Sequence, residues 1–188
     1  MNEGHARLCS SPEWAEFITS DVLPTVLSGH DPGREVLEIG PGYGASTGGL
    51  VKLPLTLTAV ESDPDLANGL RERFPMVRVL HGRGEQLPFE DQKFTAAVCF
   101  TMLHHVHTAA VQDELFAEAA RTLVPGGLFA GSDSIASPGL AEFHRDDVYN
   151  PVDPRHLGVR LASAGFQDVV VTVSPQHEWF AFSARRQG

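Results

Sequence analysis

The chain reads as an α/β protein with a doubly wound, largely parallel sheet, and three features of the sequence predict this. Strand-like and helix-like segments alternate along its 188 residues. The segment 94–100, FTAAVCF, is a continuous apolar run, as expected of a strand buried on both faces. The segment 36–45, VLEIGPGYGA, carries an apolar strand into a glycine-rich loop and then into a helix.

Taken in order, residues 1–10 read as unstructured. Residues 11–27 read as a leading helix with Trp14, Phe17, Ile18, Val22 and Val26 on one side, kinked or divided at Pro24. The Asp31-Pro32-Gly33 turn leads to a first strand at 35–39, and a helix over 45–51 follows the glycine loop. A second strand spans 56–60. Asp63 and Pro64 suit the N-cap and first position of a helix that runs to residue 74. A short third strand covers 77–80, and the fourth is 94–100. The helix at 108–123 places Val111, Leu115, Ala119 and Thr122 on one face and stops at Pro125-Gly126-Gly127. The fifth strand begins at 128–131. After an irregular stretch, a helix at 154–164 is stopped by Gly165, and strands at 169–173 and 178–183 form a closing hairpin around Ser174-Pro175-Gln176. With no internal repeat or linker, residues 1–188 are expected to form one domain. Its parts are a leading helix (11–28), a ligand-binding core (35–135) and an acceptor-side segment (136–188).

Bulk properties narrow the function. A formal net charge of −10 disfavours nucleic acid, whose binders neutralise phosphates with basic patches. No apolar run is long enough for a membrane span and no leader pattern opens the chain, so no membrane is expected and the cytoplasm is the expected compartment. Cys9 and Cys99 form no metal-type pair, and Cys99 falls in the buried run.

The chemistry concentrates in the glycine loop. Gly40 permits the tight turn, Gly42 lets backbone approach a ligand, and Gly44 lets helix and strand pack closely. Glu61 lies 21 residues beyond Gly40 at the tip of the second strand, where a carboxylate can accept from both hydroxyls of a ribose. The same glycines also fit a dinucleotide pattern, so a nicotinamide-dependent oxidoreductase stays open at this point. Glu38, two residues before the first glycine, is poor company for a pyrophosphate and suits a ligand with an ammonium and a sulfonium.

With those residues in hand, the chain resembles the class I S-adenosylmethionine-dependent methyltransferases, over about residues 35–135. The carrying segments are VLEIGPGYGAST, AVESDPDLA, HGRGEQLPFEDQKF, AVCFTMLHHV and RTLVPGGLFAGSDS, in family order. The closest flavour is the small-molecule and quinone-biosynthesis subgroup. The resemblance implies strand order 3-2-1-4-5-7-6 with the seventh strand antiparallel, and S-adenosyl-L-methionine as cofactor. It further implies that Glu38, Gly40, Gly42 and Gly44 line the methionine and ribose portions. Glu61 would hold the ribose hydroxyls, and Ser62 would lie beside the adenine. Gly84 and Glu85 would edge the adenine, while Phe100 and Thr101 would pass beneath the methionine end. Two positions depart from the family. Arg83 stands where an acidic adenine partner is usual and has no acceptor, so it should stack on the base or turn outward and leave Glu85 or a backbone carbonyl to accept. Thr95 replaces a common aspartate.

His104, His105 and His107 follow the fourth strand. Adjacent histidines in a loop point apart, so no metal is expected. His104 or His105 is the candidate base for an acceptor that must lose a proton, with Asp133, His144 and Asp147 as weaker candidates. The fourth strand ends in Cys99-Phe100-Thr101-Met102, without the Asn/Asp-Pro-Pro-aromatic tetrad of family members that methylate nucleobase or glutamine nitrogens. The expected acceptor is a small organic molecule. A non-catalytic cofactor-binding protein is the remaining alternative.

Overall fold

The computed structural model describes residues 2–188. Seven strands form one sheet in the order β3-β2-β1-β4-β5-β7-β6: β1 (Glu35–Ile39), β2 (Thr56–Glu61), β3 (Arg78–His81), β4 (Phe94–Phe100), β5 (Leu123–Ser134), β6 (Phe166–Val173) and β7 (Trp179–Arg186). Strands β1 to β5 pair in parallel, and β7 runs antiparallel between β5 and β6. This is the topology implied by the resemblance.

The sheet is buried on both faces because its central strands feed two cores. On β4, Ala97 and Cys99 join Leu115, Phe116, Phe129 and Phe166 on one face. Ala96, Val98 and Phe100 point the other way, into a core with Ile18, Leu23, Leu50, Leu70 and Phe74. Successive strand residues face opposite sides, so a run without alternation is what two cores require.

The first face carries α6 (Ala109–Thr122) and α8 (Pro154–Ser163); the second carries α4 (Ala45–Leu50), α5 (Pro64–Arg73) and the leading helical segment. Thr108, Asp63 and Asp153 cap α6, α5 and α8 through side-chain oxygens that accept from first-turn N–H groups. Pro64 and Pro154 follow their caps directly, where the missing N–H costs nothing.

Three stretches differ from expectation. Residues read as unstructured form α1 (Glu3–Cys9), capped by Asn2, whose Nδ2 also donates to the Phe143 carbonyl at 2.8 Å. The leading helix is divided into α2 (Pro12–Phe17), a π turn (Ile18–Val22) and α3 (Leu23–Val26). Pro24 has no N–H for the carbonyl four residues back, and the winding widens just before it. The stretch after β5 read as irregular contains α7 (Pro138–Phe143), capped by Ser137. The helix α6 also ends before the Pro-Gly-Gly segment, because β5 already pairs at Leu123 with Phe94. No helix of the described residues is long and apolar enough to cross a membrane.

Candidate functional site

The carboxyl ends of β1, β2 and β4 open on a cavity of about 670 Å³, within the ~300–1,000 Å³ range of small-molecule sites. Its floor is the loop between β1 and α4. Gly40, Gly42 and Gly44 all take positive φ (66°, 56° and 80°), a region that side chains disfavour. Their roles divide. A Cβ at Gly40 would sit 2.9 Å from the Met102 side chain, and one at Gly42 would meet nothing within 4 Å. Gly42 therefore offers bare backbone to the cavity. Gly44 does not line it; there a Cβ would lie 2.6 Å from the Phe74 ring and 2.8 Å from Leu70. The absence of a side chain at Gly44 thus serves the packing of α4 on α5.

Glu61 ends β2 and is buried at the cavity wall. Its Oε2 accepts from Gly42 N–H and its Oε1 from Asp63 N–H, both at 2.9 Å, so the tips of β1 and β2 are tied through one carboxylate. Ser62, Gly84, Glu85, Phe100 and Thr101 all line the same cavity. At Gly84 a side chain would press within 2.8 Å of Leu115 and Ile39. Arg83 stands at the cavity rim, 64% exposed, with its guanidinium on Glu85 Oε1. Thr95 donates to the Pro32 and Glu35 carbonyls, an edge role for the residue that replaces aspartate.

Glu38 lies below the loop and not at its mouth. It is fully buried, absent from the cavity wall, and its carboxylate accepts from Ser46 Oγ at 2.5 Å and Thr47 Oγ1 at 2.7 Å. Alternation along β1 turns it beneath the turn that Gly40 begins. Burial pushes its pKa up to about 7, against the two hydroxyls and helped by the charge of Glu61. The backbone of Thr101, a residue the sequence singles out, is not foreseen there: it is held at φ 48° at the tip of β4, with its N–H on the Ser132 carbonyl at 2.8 Å. A β-branched residue in that region is strained, and here the strain sits on the cavity wall.

The expected histidine pair splits. His105 lines the cavity. His104 points away and is buried, its backbone N–H and its Nδ1 both held by the Asp133 carboxylate. His107 also reaches the cavity. The chain brings in two partners that sequence spacing hides, His5 from α1 and His144 from the end of α7. Between ring centroids, His5 lies 4.8 Å from His105, tilted, and 4.5 Å from His144, edge-on, and His104 lies 4.1 Å from His105. Nδ1 of His5 pairs with Asp147 at 3.1 Å and Nδ1 of His144 donates to the Leu140 carbonyl at 2.8 Å. Burial and the other three histidines drive His105 down to about 3, so its ring is a weak proton acceptor. Burial also lowers His5 and His144, while for His104 the Asp133 carboxylate overcomes burial and raises it. His5 and His144 come singly from distant parts of the chain, and the sequence shows only His104, His105 and His107 as a group.

Charge on the cavity wall is one-sided. Glu61, Asp63, Asp65, Glu85 and Asp147 face it with Arg83 as the lone guanidinium, and Arg83 is already paired. Apolar walls come from Trp14, Ile18, Phe100, Met102, Val111 and Leu115.

Residues 37–131 match the family described as methyltransferase domain. A probable S-adenosylmethionine-dependent methyltransferase of Mycolicibacterium smegmatis is 29% identical over 158 residues, 80% of this chain; the chain spans 59% of that relative's length. A ribosomal RNA small subunit methyltransferase A of Chlorobium chlorochromatii is 46% identical over 57 residues, 30% of this chain and 22% of its own. Among solved structures, a chain of the complex between the Haloferax volcanii Trm112 methyltransferase activator and a methyltransferase superposes with TM-score 0.80 at 14% identity, covering 99% of this chain and 96% of that one.

Proposed function

The chain belongs to the class I S-adenosylmethionine-dependent methyltransferases, and from that membership we propose that it transfers a methyl group to a small organic acceptor by in-line displacement. The observation that carries the reading is the pairing of a bare-backbone loop at Gly40 and Gly42 with a cavity wall rich in carboxylates. A pyrophosphate would meet five acidic side chains there, whereas a nucleoside with a sulfonium and an ammonium meets complementary charge. The residues present thus fit S-adenosylmethionine better than a dinucleotide.

When bound, the cofactor supplies a methyl already activated on sulfur, so alignment and exclusion of water are the main tasks left to the protein. Glu61 is the proposed ribose anchor, with Ser62, Gly84 and Glu85 around the base. Gly40, Gly42, Phe100 and Thr101 are proposed to support the methionine portion. Glu38 acts from below, through Ser46 and Thr47, by setting the charge under the loop. Beyond Met102, His5, Cys9, Trp14, His105 and Asp147 bound the remaining space, which is proposed to take the acceptor. His105 is the histidine of the expected pair that can touch that acceptor; His104 is a positioning residue fixed by Asp133. The chain's negative charge favours a small acceptor over RNA.

Calorimetric titration with S-adenosylhomocysteine, and with NAD in parallel, tests the reading. The expected result is micromolar or tighter binding of the first alone. Charged hydrogen bonds are worth about 1.5–3 kcal/mol each, so Glu61→Ala should weaken binding on the order of a hundredfold, and Glu61→Gln, which keeps the shape, at least about tenfold. Preference for NAD, or unchanged affinity in both variants, would overturn it.

A further inference from the structure

Four imidazoles converge beside the cavity from three separate parts of the chain: His5 on α1, His104 and His105 in the turn after β4, and His144 after α7. One ring nitrogen from each lies within 4.8 Å of the other three. We propose that these four histidines form a binding site for a divalent transition metal of the zinc class, which clasps α1 and the segment after β5 onto the turn that follows β4.

Three features support a metal over simple packing. First, the outer nitrogens are spoken for. Nδ1 of His144 must donate, because its partner, the Leu140 carbonyl, only accepts. Nδ1 of His104 and of His5 face the carboxylates of Asp133 and Asp147. This arrangement, a carboxylate or carbonyl behind three of the four rings, is how proteins orient metal-binding histidines and leave Nε2 with its lone pair. Second, Nε2 of His104 and Nε2 of His144 are buried with no hydrogen-bond partner among the described residues. A buried acceptor left unmade is costly, and two in one cluster call for a shared partner. Third, the donor set is imidazole alone, which suits zinc and its neighbours and not magnesium or calcium. In a tetrahedral site with Zn–N bonds of about 2.0–2.1 Å the ligand atoms lie roughly 3.4 Å apart, so binding draws the rings together by a distance on the order of 1 Å. His107, although next in sequence, is outside the cluster.

The site would be filled by protein ligands, so it is structural in kind, holding the acceptor side of the cavity closed through His105. The inference does not depend on methyl transfer, and its test is read without cofactor. Untagged full-length chain is stripped with a chelator, dialysed, and titrated with zinc(II) alone; cobalt(II) serves as a spectroscopic substitute. The expected result is one zinc per chain at micromolar or tighter affinity, and intense visible cobalt bands of the tetrahedral type. His5→Ala and His144→Ala should each weaken zinc binding at least a hundredfold, and His107→Ala should leave it unchanged. Should His144→Ala fail to fold, the wild-type cobalt spectrum and the peripheral His5→Ala still decide the matter. Substoichiometric zinc, a weak octahedral cobalt spectrum, or undiminished binding in the His5 variant would overturn the proposal.

Discussion

At the scale of single residues, Glu38 and Glu61 are the same chemical group in opposite circumstances. Both were legible as acidic side chains flanking a glycine loop, but only their surroundings decide which one faces a ligand. Glu61 ends its strand and reaches the cavity with both oxygens on backbone N–H groups. Glu38 points beneath the loop onto two hydroxyls, with a pKa raised from 4.5 to about 7. Since the folded protein holds this proton more tightly than the unfolded chain, Glu38 favours folding below about pH 4.5, and that advantage is lost as pH rises to about 7. A shift of this size corresponds to about 3 kcal/mol. In denaturant titrations of the ligand-free protein, Glu38→Gln should gain stability relative to wild type between pH 5 and pH 8, by up to that amount. A difference between the two proteins that stays flat over this range would mean that Glu38 is ionised throughout. The adjacent Ser46 and Thr47 were in plain view in the sequence; that they close on Glu38 follows from the tight turn, which brings the start of α4 back over β1.

Among the elements, the regular ones were read well because their signals are local. The apolar run of β4 and the Asp-Pro start of α5 are complete statements within a few residues, and both came out at or within a residue of expectation. The elements that were missed, α1 and α7, are short and have no apolar face of their own; neither buries a large apolar side chain of its own. They are held by contacts far along the chain, such as Asn2 on the Phe143 carbonyl and His5 on Asp147, which no local pattern encodes. The loop-to-α4 joint makes the opposite case, since its need for glycine was legible and only the reason differed. At Gly44 both a left-handed backbone and the Phe74 ring forbid a side chain. Gly44→Ala should therefore destabilise the protein by about 2 kcal/mol or more in chemical denaturation, through strain plus overpacking. Gly42→Ala, with open space around it, should cost less stability and more ligand affinity.

Across the whole molecule, strand order followed from the family resemblance, and the parallel sheet from the alternation of segments. The way the cavity is closed did not, because it unites α1 with residues more than a hundred positions away. Asn2 is the joint: it caps α1 through His5 N–H at 2.9 Å and ties it to the Phe143 carbonyl. Asn2→Ala should cost about 1 kcal/mol, the usual value of a lost cap, and the loss should be local. Amide exchange is expected to accelerate throughout α1 and leave β1 and β4 unchanged. Uniform acceleration over the sheet would show instead that α1 is part of the cooperative core.

The tie between Asn2 and Phe143, 141 residues apart, also sets an order of events as the chain is made. Strands β1 to β3 can pair with their neighbours in sequence as they emerge, and β4 joins β1 once Ala96 has followed Val36. The first helix has to wait for a residue 141 positions on, and the entropy of closing so long a loop makes it a late arrival in refolding as well. A growing chain thus assembles an open cleft first and gains its cover only after the segment that follows β5 has been made.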